Sequence, residues 1–408
     1  MENRAIKSIV HGIVPAFLLA ISVGQIYAFT NFSTDIAEYI NSTQGKVQFA
    51  FSLGIFFLGM GASFFGKIVE KNIKLSTVVG TVLFLVGMLL TCLGIRMKSL
   101  WLLYVGYGLF GGLGTGVIYI SPVKTMMMWF TKYKALGASL PIIFFGLGST
   151  LSTFIYARLI SFGIENIFLY FAGIYAVMMI IGACLLKKPI SEAELAKQQS
   201  SGAAAGNAFS YGSLIKDRFF IHSWLFMFLN ISSGLCLIPL AKQMMKSDGV
   251  GYSMSLITAI VGLCGLMNGG GRFIFALWSD KLKTRINIIG IILAVSFVTI
   301  TTTSLLPVLI GVALLIINAC YGAGFSVIPA ILSDKFGMTN ISKIHGAVLS
   351  AWGVAGLVGN QLSMFVSDRL GFGGKGVLVM LIAMYGINLV NFFIMKKLSL
   401  IRPLEDGK

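Results

Sequence analysis

Charge is scarce in this chain. Of 408 residues only 11% are charged, and just 14 of them are Asp or Glu. A soluble domain of this size carries about 25% charge, so a surface that faces water on all sides is excluded. The five cysteines, Cys92, Cys184, Cys236, Cys264 and Cys320, all fall in apolar runs without a close pair. They can frame neither a disulfide nor a metal site, and they read as packing residues. No nucleophile, base and orienting group can be assembled from the motifs present. An enzyme is therefore not expected, nor is a cofactor or metal. No sizeable soluble module is present either, which argues against a sensor or scaffold that signals through one.

What the chain has instead is length in its apolar runs. Hydrophobic residues make up 57% of it and the mean hydropathy is +0.90. Runs long enough to cross about 30 Å of hydrocarbon as helices recur throughout. The expected fold class is an all-α polytopic membrane protein with twelve transmembrane helices, at 7–29, 47–66, 75–95, 101–122, 136–160, 167–186, 220–244, 253–278, 286–305, 307–330, 346–367 and 375–395. The start, with Arg4 and Lys7 ahead of a long apolar run, could pass for a secretory signal. Its apolar part is too long for that, so a retained first helix is expected.

The longest polar interruption is "KKPISEAELAKQQSSGAAAGNAFSYGSLIKDR", residues 187 to 218. It divides the chain into an N-terminal six-helix bundle (1–186), a linker (187–219) and a C-terminal six-helix bundle with a short tail (220–408). The net charge of +17 does not indicate nucleic acid, because the basic residues lie in short clusters between apolar runs. Lys67, Lys71 and Lys74, Lys132 and Lys134, the linker cluster, Lys281, Lys283 and Arg285, and Lys396 and Lys397 all fall on the side of the termini. Few basic residues, such as Lys46, Arg96, Lys98 and Arg369, fall opposite. By the positive-inside rule both termini and the linker are expected to be cytoplasmic, in an inner (plasma) membrane.

The halves also resemble each other. "GKIVEKNIK" after span two and "ALWSDKLKTR" after span eight place Glu70 and Asp280 210 residues apart. Pro122 of "GTGVIYISP" and Pro329 of "GAGFSVIP" are separated by 207, and Gly137 and Gly346, each opening a span, by 209. Three matches at nearly one offset indicate a duplicated six-helix unit. Two such halves around a central site is the layout of an alternating-access transporter. The acidic residue with its neighbouring cation in each loop (Glu70 with Lys71, Asp280 with Lys281) is a candidate gate, able to pair with helix ends in one conformation and release them in the other. Topological lysines are the plainer alternative.

Arg272, in "MNGGGRFIFALWSDK", is the only Lys or Arg placed well inside an expected span. A cation at that depth is costly and points to function, although snorkelling to the interface would also accommodate it. No Asp or Glu lies deep in an expected span to neutralise it. A guanidinium in a water-lined cavity fits a carboxylate through two parallel hydrogen bonds, so the expected partner is a small organic anion. Asn268, one turn earlier on the same face, could bond the anion or orient Arg272. Glycines 269 to 271 would admit a neighbouring backbone or the substrate. Tyr27, Tyr119, Tyr321, Phe325 and Trp352 are candidate cavity aromatics as a group; singly, each fits a packing role.

These stretches resemble the oxalate:formate antiporter family of the major facilitator superfamily, related to the monocarboxylate transporters. The resemblance rests on "GQIYAF", "GTGVIYISPVKTMMMWFTKYKALGAS", "FLNISSGLCLI", "GRFIFALWSDK", "YGAGFSVIPAILSDKFG" and "HGAVLSAWGVAG", which together span nearly the whole chain. It implies the major facilitator fold, two pseudo-symmetric six-helix bundles, and a central carboxylate site in which Arg272 binds the anion while Tyr27, Tyr119, Tyr321 and Phe325 wall it. Oxalate exchangers of that family carry a second cation, a lysine, in span eleven. The matching position here is Trp352. A dianion would leave one carboxylate unpaired in low dielectric, so a monoanion such as formate, acetate, lactate or pyruvate is expected. Oxalate/formate exchange, or export of amphipathic compounds on the same fold, are the alternatives. Protons are a candidate second partner, with His11 and His345 able to titrate near neutrality and Lys124 a candidate secondary cation or a topological lysine. The remaining partner is the lipid bilayer, and the protein is expected to act as a monomer.

Overall fold

The computed structural model describes residues 2–189, 210–246 and 250–400. Most of the expected linker, and the tail from 401 onward, lie outside the described residues. Within them the chain forms helices and no strand. Hydrocarbon offers backbone N–H and C=O groups no partner, and the helix satisfies them within one segment.

Twelve helices among the described residues are long and apolar enough to span a membrane: α1 Ala5–Tyr39, α2 Gln44–Lys71, α3 Ile73–Arg96, α4 Leu100–Trp129, α5 Lys134–Phe162, α6 Ile164–Leu185, α7 Arg218–Leu237, α8 Met254–Lys281, α9 Asn287–Leu305, α10 Pro307–Phe336, α11 Ile341–Ser367 and α12 Gly373–Ser399. Each expected span falls on one of them. Side-chain caps begin several: the Asn72 side chain accepts from the Leu75 N–H at 3.0 Å and Ser253 from the Leu256 N–H at 3.3 Å. Such caps satisfy amide donors that the first turn leaves open.

The largest differences from expectation are at helix ends. The first helix runs on to Tyr39 because Phe32 and Ile36 keep one face of its polar last turns buried. The fourth passes through Pro122 and continues to Trp129. Proline stops a helix in water, but membrane helices tolerate it where neighbours re-satisfy the freed carbonyl. Pro141 and Pro329 are likewise interior, in α5 and α10.

The chain divides into two compact units. One comprises Met1–Ala208 with Leu332–Gly353, and the other Phe209–Ile331 with Val354–Lys408. The sequence-based boundary puts 332–353 with the C-terminal bundle, whereas in the structure this segment packs with the first unit. The reason is backbone proximity: a Cβ on Gly346 of α11 would collide with the Ala62 carbonyl oxygen of α2. Within the first unit α6 packs on α1 and α3, and within the second α12 packs on α7 and α9. The same pairings recur in each half, as a duplicated unit requires.

The triple glycine of α8 separates by role. A Cβ on Gly271 would collide with the Ala319 carbonyl oxygen of α10, while one on Gly269 or Gly270 would meet nothing within 4 Å among the described residues. One glycine of the three sets the distance between α8 and α10. Gly271→Ala is therefore expected to destabilise the protein by about 1–3 kcal/mol through overpacking. Gly270→Ala should be neutral or stabilising by up to about 1 kcal/mol from helix propensity. Thermal unfolding of the two variants in detergent compares them directly.

Candidate functional site

Each unit holds one cluster of candidate residues. In the second unit, Arg272 lies on α8 with 3% of its surface exposed, although the helix around it is mostly open to its surroundings. Its Cζ sits 5.6 Å from the centroid of the Phe325 ring on α10. A guanidinium over an aromatic face recovers part of its lost hydration through the ring quadrupole. Tyr321, one turn earlier on α10, meets Phe325 edge to face at 5.5 Å. The i, i+4 spacing puts these two rings on one helical face. Asn268 donates from Nδ2 to the Asn318 carbonyl at 3.2 Å, which ties α8 to α10 one turn from the arginine.

The first unit gathers the other aromatics. Trp352 of α11 packs against Tyr119 of α4 at 5.4 Å, Phe145 of α5 at 5.9 Å and Tyr27 of α1 at 6.3 Å between ring centroids. Phe145 also meets Tyr27 and Tyr119 edge to face, each at 5.3 Å. Four helices thus contribute one ring each. Phe145 was not among the sequence candidates; its "PIIFFG" context is as apolar as any other span, and only the three-dimensional ring contacts single it out. His345 lies beside Tyr119, with ring centroids 6.3 Å apart, and is 2% exposed. His11 faces the Leu185 carbonyl at 3.0 Å through Nδ1, joining α1 to the end of α6.

Lys124 departs from its expected role. Because α4 continues past Pro122, this lysine is 1% exposed and forms an ion pair with Glu70 of α2. It is neither a loop lysine nor free to draw in an anion. The other Glu70 oxygen accepts the backbone N–H of Ser342, in the first turn of α11. A carboxylate at a helix N-terminus meets unsatisfied amide donors and the positive end of the macrodipole. Gly346 brings the same part of α11 onto α2. In the second unit the repeat mate Asp280 pairs with Arg285 at 3.0 Å, its side chain fully buried. Lys71 and Lys281 are exposed.

Two more polar groups escaped sequence reading. Asp35, beyond the expected end of span one, lies on α1 and accepts the hydroxyl of Tyr156 from α5. Asn230 on α7 is completely buried.

Over residues 15–360 the sequence matches the Major Facilitator Superfamily. The chain belongs to that superfamily. This major facilitator protein is a multi-pass membrane transporter that works by alternating access, and not an enzyme. It is 26% identical over 352 residues, 85% of each chain, to the uncharacterized MFS-type transporter YhjX of Escherichia coli (strain K12). Among solved structures it resembles a variant of the E. coli fucose:proton symporter FucP, with a TM-score of 0.66, 15% identity and coverage of 93% of this chain and 98% of that one. A bacterial homologue of the iron transporter ferroportin, in an outward-facing state, gives a TM-score of 0.72 at 14% identity, over 94% and 98% of the two chains. At such identities these two share the transporter's fold, and their cargoes do not transfer.

The Glu70–Lys124 pair in this transporter is testable by itself. Removing one member of a buried pair strands the other charge at a cost of about 3–5 kcal/mol, whereas replacing both by neutral groups costs far less. Lys124→Met and Glu70→Gln singly should each lower the melting temperature in detergent more than the double variant does. A double variant at least as unstable as the two singles summed would show that the pair is not coupled.

Proposed function

We propose that this transporter carries small monocarboxylates such as formate, acetate, lactate or pyruvate, as an anion exchanger or together with protons, in the manner of the oxalate:formate antiporter family that its motifs resemble. The observation that carries the reading is Arg272. A permanent charge is kept at 3% exposure on a spanning helix, its guanidinium resting on Phe325. Keeping it there costs several kcal/mol of hydration, which an anionic substrate offsets in part by binding through two parallel hydrogen bonds. The face formed by Tyr321 and Phe325 restricts the guanidinium to one side and supplies apolar surface for the rest of the substrate. One carboxylate is favoured over two, because the place where related oxalate exchangers carry a lysine holds Trp352, enclosed by three other rings.

Glu70 supports the gate in this reading. By accepting from both Lys124 and the first turn of α11 it latches that helix to α2 and α4, and breaking these bonds frees the segment. The basic loops favour a plasma-membrane protein with both termini cytoplasmic, and each chain carries its own arginine site, as a monomer would.

The test is uptake of radiolabelled mono- and dicarboxylates into proteoliposomes, with and without internal anion and a pH gradient. Arg272→Ala should abolish uptake, and Arg272→Lys should lower it at least about tenfold, since an ammonium cannot reproduce the planar fork. Both variants should reconstitute at wild-type levels. Undiminished uptake by Arg272→Ala, or oxalate carried much faster than any monocarboxylate, would overturn the proposal.

A further inference from the structure

Among the described residues of the second unit, three buried carboxamides are bonded to carbonyls. Asn318 donates to the Leu314 carbonyl at 2.8 Å, Asn388 to Phe226 at 3.2 Å, and Asn391 to His222 at 3.0 Å. Asn230, on α7, is 0% exposed, and among the described residues neither its Nδ2 nor its Oδ1 has a hydrogen-bond partner. Turning the amide over would not help, since both ends are unmet. An unsatisfied buried polar group costs about 1–3 kcal/mol, and leucine would fill the same space in a membrane helix without that cost.

Asn230 touches α10 beside the residue that carries the ring under Arg272. Its amide presses on Gly324 of α10, where a Cβ would lie 2.5 Å from Nδ2. The next residue, Phe325, carries the ring under Arg272. Consecutive helical residues differ by about 1.5 Å in height and point about 100° apart. Asn230 and the Arg272 guanidinium therefore meet consecutive residues of α10, which point to adjacent sides of that helix. Tyr321, three residues before Gly324 and four before Phe325, covers the face between them. Its ring touches Phe325 and also α7, where a Cβ on Gly234, one turn after Asn230, would meet the ring at 2.7 Å. Three helices thus place a cation, an aromatic face and a buried carboxamide unpaired at both ends around one turn of α10.

We infer that Asn230 is the second polar contact of the substrate site and that it selects 2-hydroxy monocarboxylates over unsubstituted and 2-keto ones. The inference rests on the reading of Arg272 as the carboxylate site. A carboxylate or keto oxygen only accepts hydrogen bonds, so acetate or pyruvate can meet Nδ2 and leaves Oδ1 unmet. A hydroxyl on the carbon next to the carboxylate both donates and accepts. With the carboxylate on Arg272, that hydroxyl gives its proton to Oδ1 of Asn230. The donor requirement is a chemical filter, since a site left with an unpaired buried acceptor discriminates against analogues that lack the donor.

The test compares glycolate and lactate with acetate, propionate and pyruvate. In wild-type protein, ligand-induced shifts of the melting temperature in detergent should show the hydroxy acids binding at least about tenfold more tightly. Equal affinity across the panel would overturn the inference without any variant. In proteoliposomes, Asn230→Ala and Asn230→Ser should reduce the ratio of lactate to propionate uptake about tenfold, the serine less than the alanine because its hydroxyl still accepts. An unchanged ratio in variants that reconstitute normally would overturn the role of Asn230 while leaving that of Arg272 intact. Uptake surviving Arg272→Ala would overturn both.

Discussion

The hydrocarbon core of a membrane offers no hydrogen-bond partner, so each polar group that enters it must find one inside the protein or be matched by one that a ligand brings. In this chain the backbone solves the problem by forming helices. Most polar side chains solve it locally: serines and threonines bond the carbonyl one turn back, as Thr115 does to Gly111 at 2.7 Å and Ser296 to Ile292 at 2.8 Å. The charged and amide groups that cannot be settled so cheaply are few, and they are the groups around which candidate functions gather.

Those groups fall into two kinds. Glu70, Lys124 and the start of α11 settle one another through bonds between helices. Arg272 and Asn230 occupy neighbouring sides of α10 in the second unit, beside the rings of Phe325 and Tyr321. A pair that satisfies itself suits the proposed latch, which needs two states differing in which bonds are made. A cation on a ring beside an unsatisfied amide suits a ligand that brings a carboxylate and a donor of its own.

Much of this was legible without coordinates. Arg272 stood out because a charge in an apolar run is rare and costly, and the paired Glu70 and Asp280 loops because a duplicated chain repeats its offsets. Other features were hidden for physical reasons. Lys124 read as a candidate secondary cation or a topological lysine at the end of span four, whereas α4 continues past Pro122 and the lysine is buried in a pair with Glu70. Phe145 is one phenylalanine among 32, distinguished by the three rings it touches. Asn230 sits in "FLNISSG" with nothing local to mark it, since whether an amide is satisfied depends on which helix lies opposite.

Composition and periodicity by themselves determined that the chain crosses a membrane twelve times as helices in two related halves, because a bilayer admits so few solutions that length and apolarity choose among them. Which side chains meet was decided by the tertiary structure alone. Helix contacts depend on where small residues allow backbones to touch, as Gly271 does against Ala319 and Gly346 against Ala62. Those distances, set between segments far apart in the chain, bring Trp352 among the rings of the first unit and set Asn230 and Arg272 against consecutive residues of α10 in the second.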